Sequence, residues 1–309
     1  MTRLLRLPSL KPSFGLALAG LLVLGALLPG GAAAQDIPFG QGLLWRVEKG
    51  GAPASHILGT LHTTDPRLQQ LPAPIDQALD QSRTVAFELV EGQSGEADLA
   101  QALRLPPGRK LEDILGPDLF RRTAAAVADF GVTPENLQQM KPWALAFYLA
   151  RPPLEVIRQA QGKAAFDFWL QEEARRRGKV LHALESYAEQ FEIFDGLGEA
   201  EQAAMVADLV NDHANITAQF NRMFRAYLKG DLAALLAVAD DYSGVSDTAA
   251  TERLSERLID GRNRTMAQRM LPLLEEGRAF VAVGALHLPG EQGILNLLAQ
   301  QGYRVTRVY

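Results

Sequence analysis

The sequence predicts an α/β fold in the mixed α+β sense: a central mixed β-sheet built from both ends of the chain, with a large helical insertion between them. Three observations carry this reading. Short β-prone runs gather between residues 43 and 90 and again between 279 and 309. The stretch from about 96 to 260 is dominated by apolar residues at helical spacing. The C-terminal part reads strand, helix, strand, which is a βαβ unit joining parallel strands.

Taken in order, Leu43 to Glu48 and His56 to Leu61 flank the Gly-rich turn at Lys49 to Pro53 and read as a hairpin. Pro74 to Ser82 is helical, with an early proline and Ile75, Ala78 and Leu79 on one face. Thr84 to Val90 is a mostly apolar run suited to a buried strand. Helices are expected over Asp118 to Phe130, stopped by Gly131, and over Pro142 to Ala150 after Lys141. Another covers Phe166 to Arg177 and stops at Gly178, with three arginines at the negative end of its dipole. Lys179 to Leu184 is a short strand inside this helical middle. Glu199 to Lys229 is a long helical stretch with a break near Asn211, and Thr251 to Glu276 is another, ending at Gly277. Ala279 to Ala285 is an apolar, β-branched run typical of a buried strand, Gly290 to Gln301 a helix, and Tyr303 to Tyr309 an alternating, edge-type strand. No low-complexity linker divides the chain, so one domain over 35–309 with an insertion near 96–260 is expected.

Residues 1–34 stand apart. Arg3, Arg6 and Lys11 form a basic start, Phe14 to Leu28 is an uncharged apolar run, and Ala32 to Ala34 supplies small residues. These are the three parts of a secretory signal peptide. The expectation is an exported protein, periplasmic or secreted, or anchored on the same side if the segment stays attached. Losing Arg3, Arg6 and Lys11 takes the formal charge from −5 to −8. An acidic chain without a long Lys/Arg run speaks against nucleic acid as a partner, and outside the signal segment no membrane partner is expected. With no cysteine in the sequence, disulfides, thiolate catalysis and Cys-based zinc sites are excluded.

The chain has only five histidines, and two of them share a frame. His-Ile-Leu-Gly-Thr-Leu-His62 and Val-Ala-Val-Gly-Ala-Leu-His287 each present a β-run, a glycine, and a histidine three residues later. Ligands bind beyond the carboxyl ends of parallel strands in open α/β sheets, so the two imidazoles are expected to converge there. Glu88 interrupts the apolar run Val85 to Val90, a costly place for a carboxylate unless it is paired or binds a cation. Glu185 follows Val180 to Leu184 directly. The structural alternatives are a buried salt bridge for Glu88 and helix capping with Gln190 for Glu185. Imidazole and carboxylate without thiolate suit Zn, Mn, Fe or Co. A metal-free His/Glu acid–base site is equally compatible with these residues. Arg262, in Arg262-Asn263-Arg264, is a candidate to bind a carboxylate or an oxyanion, against a solvated helix face as the plainer reading. Lys141-Pro142-Trp143 reads as a helix start with an aromatic anchor, and His56 and His213 are treated as outside the site. No His-Glu-x-x-His, Gly-x-Ser-x-Gly or P-loop pattern is present.

Across most of residues 35–309 these segments resemble the TraB/GumN family, Tiki-like proteins included, within the erythromycin-esterase/ChaN-like superfamily. The resemblance rests on several segments together. Leu58 to His62 with Asp65 and Leu71-Pro72, Phe87-Glu88-Leu89 and Lys141-Pro142-Trp143 carry the first half. Phe166-Asp167 through Gly178-Lys179 to Glu185 and Gln190, Arg262-Asn263 with Met266, and Val283 to Gly290 carry the second. It implies a metal-dependent protease-like activity, with His62, Glu88 and His287 as the metal site. The resulting expectation is an exported metal-dependent hydrolase, a peptidase, that takes a peptide or small-molecule substrate. In it a divalent metal (Mn, Co, Zn or Fe) sits on His62, Glu88 and His287, Glu88 doubles as general base, and Arg262 assists catalysis. Two alternatives stand beside it. One is a non-catalytic peptide- or ligand-binding protein on the same fold. The other is a structural histidine pair, with function in surface contacts of the insertion. The residues leave the roles of Asp167, Glu185, Asn263 and Arg264 open.

Overall fold

A computed structural model of the chain describes residues 37–93, 99–242 and 254–309; the expected signal segment over 1–34 and the start of the Thr251–Glu276 stretch lie outside them. The sheet has six strands: β1 (Leu44–Glu48), β2 (Ser55–Thr60), β3 (Thr84–Phe87), β4 (Val180–Ala183), β5 (Ala279–Gly284) and β6 (Arg304–Arg307). Their spatial order is β4-β3-β5-β2-β1-β6. β4, β3, β5 and β2 run parallel, while β1 is antiparallel to both of its neighbours. The mixed sheet is therefore as expected. It draws one edge strand, β4, from within the helical middle.

The central strands explain themselves by composition. β3 and β5 are buried along their whole length, as parallel strands covered on both faces must be. β6 is mostly exposed and lies at one edge, in keeping with its alternating sequence. The β1–β2 hairpin turns over Gly50 and Gly51, both at positive φ. Such values cost glycine nothing sterically.

Several boundaries differ from expectation for identifiable reasons. β3 stops at Phe87, so Glu88 lies just past the strand. The C-terminal helix runs Ile294–Gln300 and starts four residues late. Gly290 has φ 91°, and a Cβ on Gly293 would stand 2.3 Å from the Pro289 carbonyl oxygen, so this stretch is a packed turn. The helix expected at Asp118 begins at Leu111, with a non-helical Gly116 ahead of Pro117. A Pro153–Ala160 helix, hidden in the sequence by its two leading prolines, opens with Pro153 in its first turn. The break expected near Asn211 is a 3-10 turn at His213–Asn215.

Two apolar clusters hold the molecule together. One surrounds the sheet and includes Phe166, Leu170, Tyr227, Met266 and Met270 from the covering helices. The other lies among the helices of the middle, around Trp143. The Trp143 ring sits 5.2 Å from Phe191 and 5.5 Å from Phe194, centroid to centroid. Its Nε1 donates to Asp195 Oδ1 at 2.8 Å, and Lys141 Nζ donates to the same carboxylate. The Lys-Pro-Trp segment is thus an anchor for the helical body, and truncating such a tryptophan costs roughly 3–5 kcal/mol. Among the described residues no helix is long and apolar enough to cross a membrane.

Candidate active site at the carboxyl end of the parallel strands

The register places the functional residues before any side chain is considered. Thr60 pairs with Gly284, Phe87 with Ala282, and Ala183 with Phe87. Four neighbouring parallel strands therefore end side by side. Just beyond them stand Glu185 after β4, Glu88 after β3, His287 after β5 and His62 after β2. The β3–β4 pairing runs one step further, with Glu185 N–H donating to the Glu88 carbonyl at 2.8 Å.

Each glycine of the repeated segments has its own use. A Cβ on Gly59 would lie 2.9 Å from Leu288 Cδ1 and 3.1 Å from Ala285 Cα, so the end of β2 packs directly on the turn that carries His287. The Gly59 carbonyl accepts the Tyr227 hydroxyl at 2.9 Å. The Gly284 N–H donates to Glu88 Oε1 at 2.6 Å.

Glu88 and Arg262 form the charged centre. Arg262 lies two residues past the end of a π turn at Glu256–Asp260, in the first turn of the Gly261–Glu276 helix, and its Nη1 donates to the Leu258 carbonyl at 3.2 Å. Its Nη2 donates to Glu88 Oε2 at 2.6 Å and to Glu185 Oε2 at 2.7 Å, and Nε donates to Glu185 Oε1 at 3.0 Å. Gln190 Nε2 supports Glu185 at 3.0 Å. All three guanidinium nitrogens are engaged, so Arg262 clamps two carboxylates. The side chain expected to meet a substrate carboxylate or oxyanion is engaged here by Glu88 and Glu185. Burial pushes the Glu88 carboxyl up; Arg262, the nearby imidazoles and the Gly284 N–H outweigh it and hold it at about 2. Arg262 is held above its ordinary value, burial being overcome by its two carboxylate partners.

The two histidines share an address and differ in their partners. His287 is fully buried, and its Nδ1 stands 2.6 Å from Asn263 Oδ1. The Asn263 amide is oriented by its own Nδ2, which donates to the Gln292 carbonyl at 2.9 Å. The oxygen therefore faces the ring, Nδ1 carries the proton, and Nε2 is left as a lone pair. Burial and the Arg262 charge drive His287 down to about 3, so it is neutral. His62 Nδ1 is in ion-pair contact with Asp167 Oδ2, and Thr60 Oγ1 donates to Asp167 Oδ1. Burial alone would lower His62; the Asp167 carboxylate raises it above its usual value. The loop that carries His62 is fastened from outside. Glu155 accepts from Thr63 Oγ1 at 2.9 Å, Thr64 N at 2.6 Å and Thr64 Oγ1 at 2.9 Å, and Phe166 N–H donates to the Thr63 carbonyl at 2.9 Å.

His62 Nε2 and His287 Nε2 are both buried and have no hydrogen-bond partner among the described residues. His287 Nε2 lies 3.9 Å from Glu88 Oε1. Among the described residues, no group of three His, Asp or Glu side chains is arranged so that it could hold a metal ion. The two open imidazole nitrogens, with an ionised carboxylate beside one of them, fit a divalent ion of the zinc–manganese type as donors. Glu88 is the weakest of the three expected ligands, because both of its oxygens already accept hydrogen bonds.

The other histidines are elsewhere. His182 lies on the edge strand β4. His213 Nδ1 lies 3.2 Å from the Leu149 carbonyl. His56 lines a cleft of about 570 Å³ with Arg46 and Arg278 at the opposite, amino-terminal ends of the strands. Arg264 pairs at the surface with Glu256. Thr60, Glu155 and Tyr227 were not anticipated. Thr60 sits inside the repeated segment and offered a signal, whereas Glu155 and Tyr227 reach the site from separate helices and offered none.

Residues 43–307 match the TraB/PrgY/gumN family. Metalloprotease TIKI2 of Danio rerio is 25% identical over 312 residues, covering 85% of this chain and 60% of that protein. Metalloprotease TIKI1 of Homo sapiens is 24% identical, covering 85% of this chain and 61% of that protein. The chain thus spans about 60% of the length of these curated relatives. The uncharacterized protein YbaP of Shigella flexneri is 22% identical over 244 residues, covering 79% of this chain and 87% of that protein. No solved structure matches the chain.

Proposed function

The chain belongs to the TraB/PrgY/gumN family, and on that premise we propose that it is an exported, metal-dependent hydrolase acting on peptides. The relatives named as metalloproteases suggest a metal-dependent, protease-like function. The observation that carries the reading to these residues is the pair of buried, unpartnered Nε2 atoms on His62 and His287. In this reading they hold the metal, and Glu88 completes the donor set with the free lone pair of Oε1. A divalent ion there supplies Lewis acidity toward a peptide carbonyl oxygen.

The protein's own groups have distinct tasks. Both Glu88 oxygens already accept hydrogen bonds, Oε1 from the Gly284 N–H and Oε2 from Arg262. Glu88 therefore serves as a fixed anion rather than as the general base. Arg262 and Glu185 keep it ionised and in place. His287 remains neutral and offers a lone pair. The basic, apolar and small-residue pattern of residues 1–34 supports export.

The test is a peptide mixture read by mass spectrometry. Purified protein is stripped of metal, then reloaded with Mn, Co, Zn or Fe. Cleavage is expected only after reloading, and His62→Ala or His287→Ala should remove it. Full cleavage by the metal-free protein overturns the metal. Saturable, His62-dependent peptide binding without any product overturns turnover and leaves a binding protein. Cell fractionation of the full chain tests export.

A further inference from the structure

We propose that Asp167 is a positioning residue: anchored by the Thr60 hydroxyl, its carboxylate holds the His62 ring with the proton on Nδ1, so that Nε2 faces the site as a lone pair. The inference rests on the site reading above and deepens it, assigning a task to a residue outside the donor set.

Three observations and one chemical rule carry it. Asp167 lies in the first turn of the Phe166–Arg176 helix, and that turn is tied to the loop after His62 by the Phe166 N–H at 2.9 Å from the Thr63 carbonyl. The carboxylate is buried, with Oδ1 taken by the Thr60 hydroxyl and Oδ2 turned to His62 Nδ1. A carboxylate is an acceptor only, so the facing nitrogen must bear the proton. Both ring nitrogens of His62 are buried; Nδ1 has the Asp167 ion-pair contact without regular hydrogen-bond geometry, and the opposite nitrogen, Nε2, has no hydrogen-bond partner among the described residues.

The same device serves the second histidine by other means. Asn263, its amide fixed by the Gln292 carbonyl, presents an oxygen to His287 Nδ1. The two rings are thus set alike, one by an anion and one by a neutral amide. Partners of this kind fix the tautomer of metal-binding histidines, and removing one typically weakens metal affinity about 10–100-fold.

The experiment is long-range 1H–15N NMR of the imidazoles in metal-free protein, above the imidazole titration range, beside zinc affinity by chelator competition. Wild-type His62 is expected as the Nδ1–H tautomer. Asp167→Ala should convert it to Nε2–H and weaken zinc binding about 10–100-fold, with the His287 signals unchanged as the control for folding. Asp167→Asn, nearly isosteric, guards against a misfolded alanine variant: zinc affinity should follow whichever His62 tautomer it shows. A wild-type His62 found as Nε2–H overturns the proposal, as does Asp167→Ala with tautomer and affinity both unchanged. The tautomer readout needs neither metal nor peptide. Absence of peptide cleavage therefore leaves this assignment standing, and a wrong tautomer leaves the hydrolase reading to the peptide assay.

Discussion

The Asn263 side chain spans two elements: its amide nitrogen donates to the Gln292 carbonyl at 2.9 Å, and its oxygen meets His287 Nδ1 at 2.6 Å. A residue of the long Gly261–Glu276 helix thereby fixes the ring that β5 delivers. Asn263→Ala should leave a buried N–H without an acceptor, which costs about 1–3 kcal/mol. Urea denaturation measures that loss. An unchanged midpoint would show that the contact contributes nothing.

Arg262 separates two buried carboxylates, so its removal is expected to be among the most damaging single changes. Breaking such a buried pair typically costs about 3–5 kcal/mol, because an uncompensated charge stays behind. Arg262→Ala should unfold at much lower denaturant. Arg262→Lys should recover little, since an ammonium cannot reproduce the fork that spans Glu88 and Glu185. Adding Glu88→Gln to Arg262→Ala should restore part of the loss, and equilibrium unfolding of the set of variants checks this.

Stability should fall with acid in two overlapping windows. Glu88 is lowered from 4.5 to about 2 in the folded protein, so its contribution is present above 4.5 and lost as pH falls toward 2. His287 is lowered from 6.5 to about 3, and the unfolded chain binds its proton first, so this contribution begins to fade below 6.5. His62 has the opposite sign: its raised value adds stability below 6.5 that is lost as pH rises through the folded value. Denaturation midpoints from pH 3 to 9 should show Glu88→Gln with a flatter slope below 4.5 than the wild type. Identical slopes would remove Glu88 as an acid-labile group.

Gly59→Ala tests the close contact between the two repeated segments. The added Cβ would meet Ala285 Cα at 3.1 Å, a backbone atom of the turn leading to His287. Overpacking of this kind costs about 1–3 kcal/mol. A lowered melting temperature is expected, together with weaker metal binding through displacement of His287. Leu288→Ala in the same background relieves only the softer of the contacts, so recovery should be partial.

Much of this was legible in the sequence because it is local. Gly-x-x-His at the end of an apolar run declares a histidine beyond a strand, and Glu88 declares itself by interrupting such a run. The β-runs near both termini also announced the sheet. What stayed hidden depends on distant packing. Asp167 and Asn263 sit on helices whose sequences do not say which histidine they face. Glu185 was open to a capping role with Gln190; in the fold Gln190 does reach it, but the helix cap itself is the Ser186–Glu189 box, and Glu185 spends its charge on Arg262. Arg262 looked available for substrate because the sequence cannot show that two carboxylates converge on it.

The position of β5 has a consequence for how the protein comes into being. This strand lies between β2 and β3 at the middle of the sheet, yet it is the second-last to leave the ribosome. Until it arrives, β2 and β3 have no common neighbour and each shows an open edge. Pairings between such distant parts of a chain form late and slowly, and unfilled edges invite association with other chains. The edges of β2 and β3 that face β5 are therefore open to such association until nearly the full length of the chain is available. His62 and His287 can come together only in that same step, because His287 follows β5 directly.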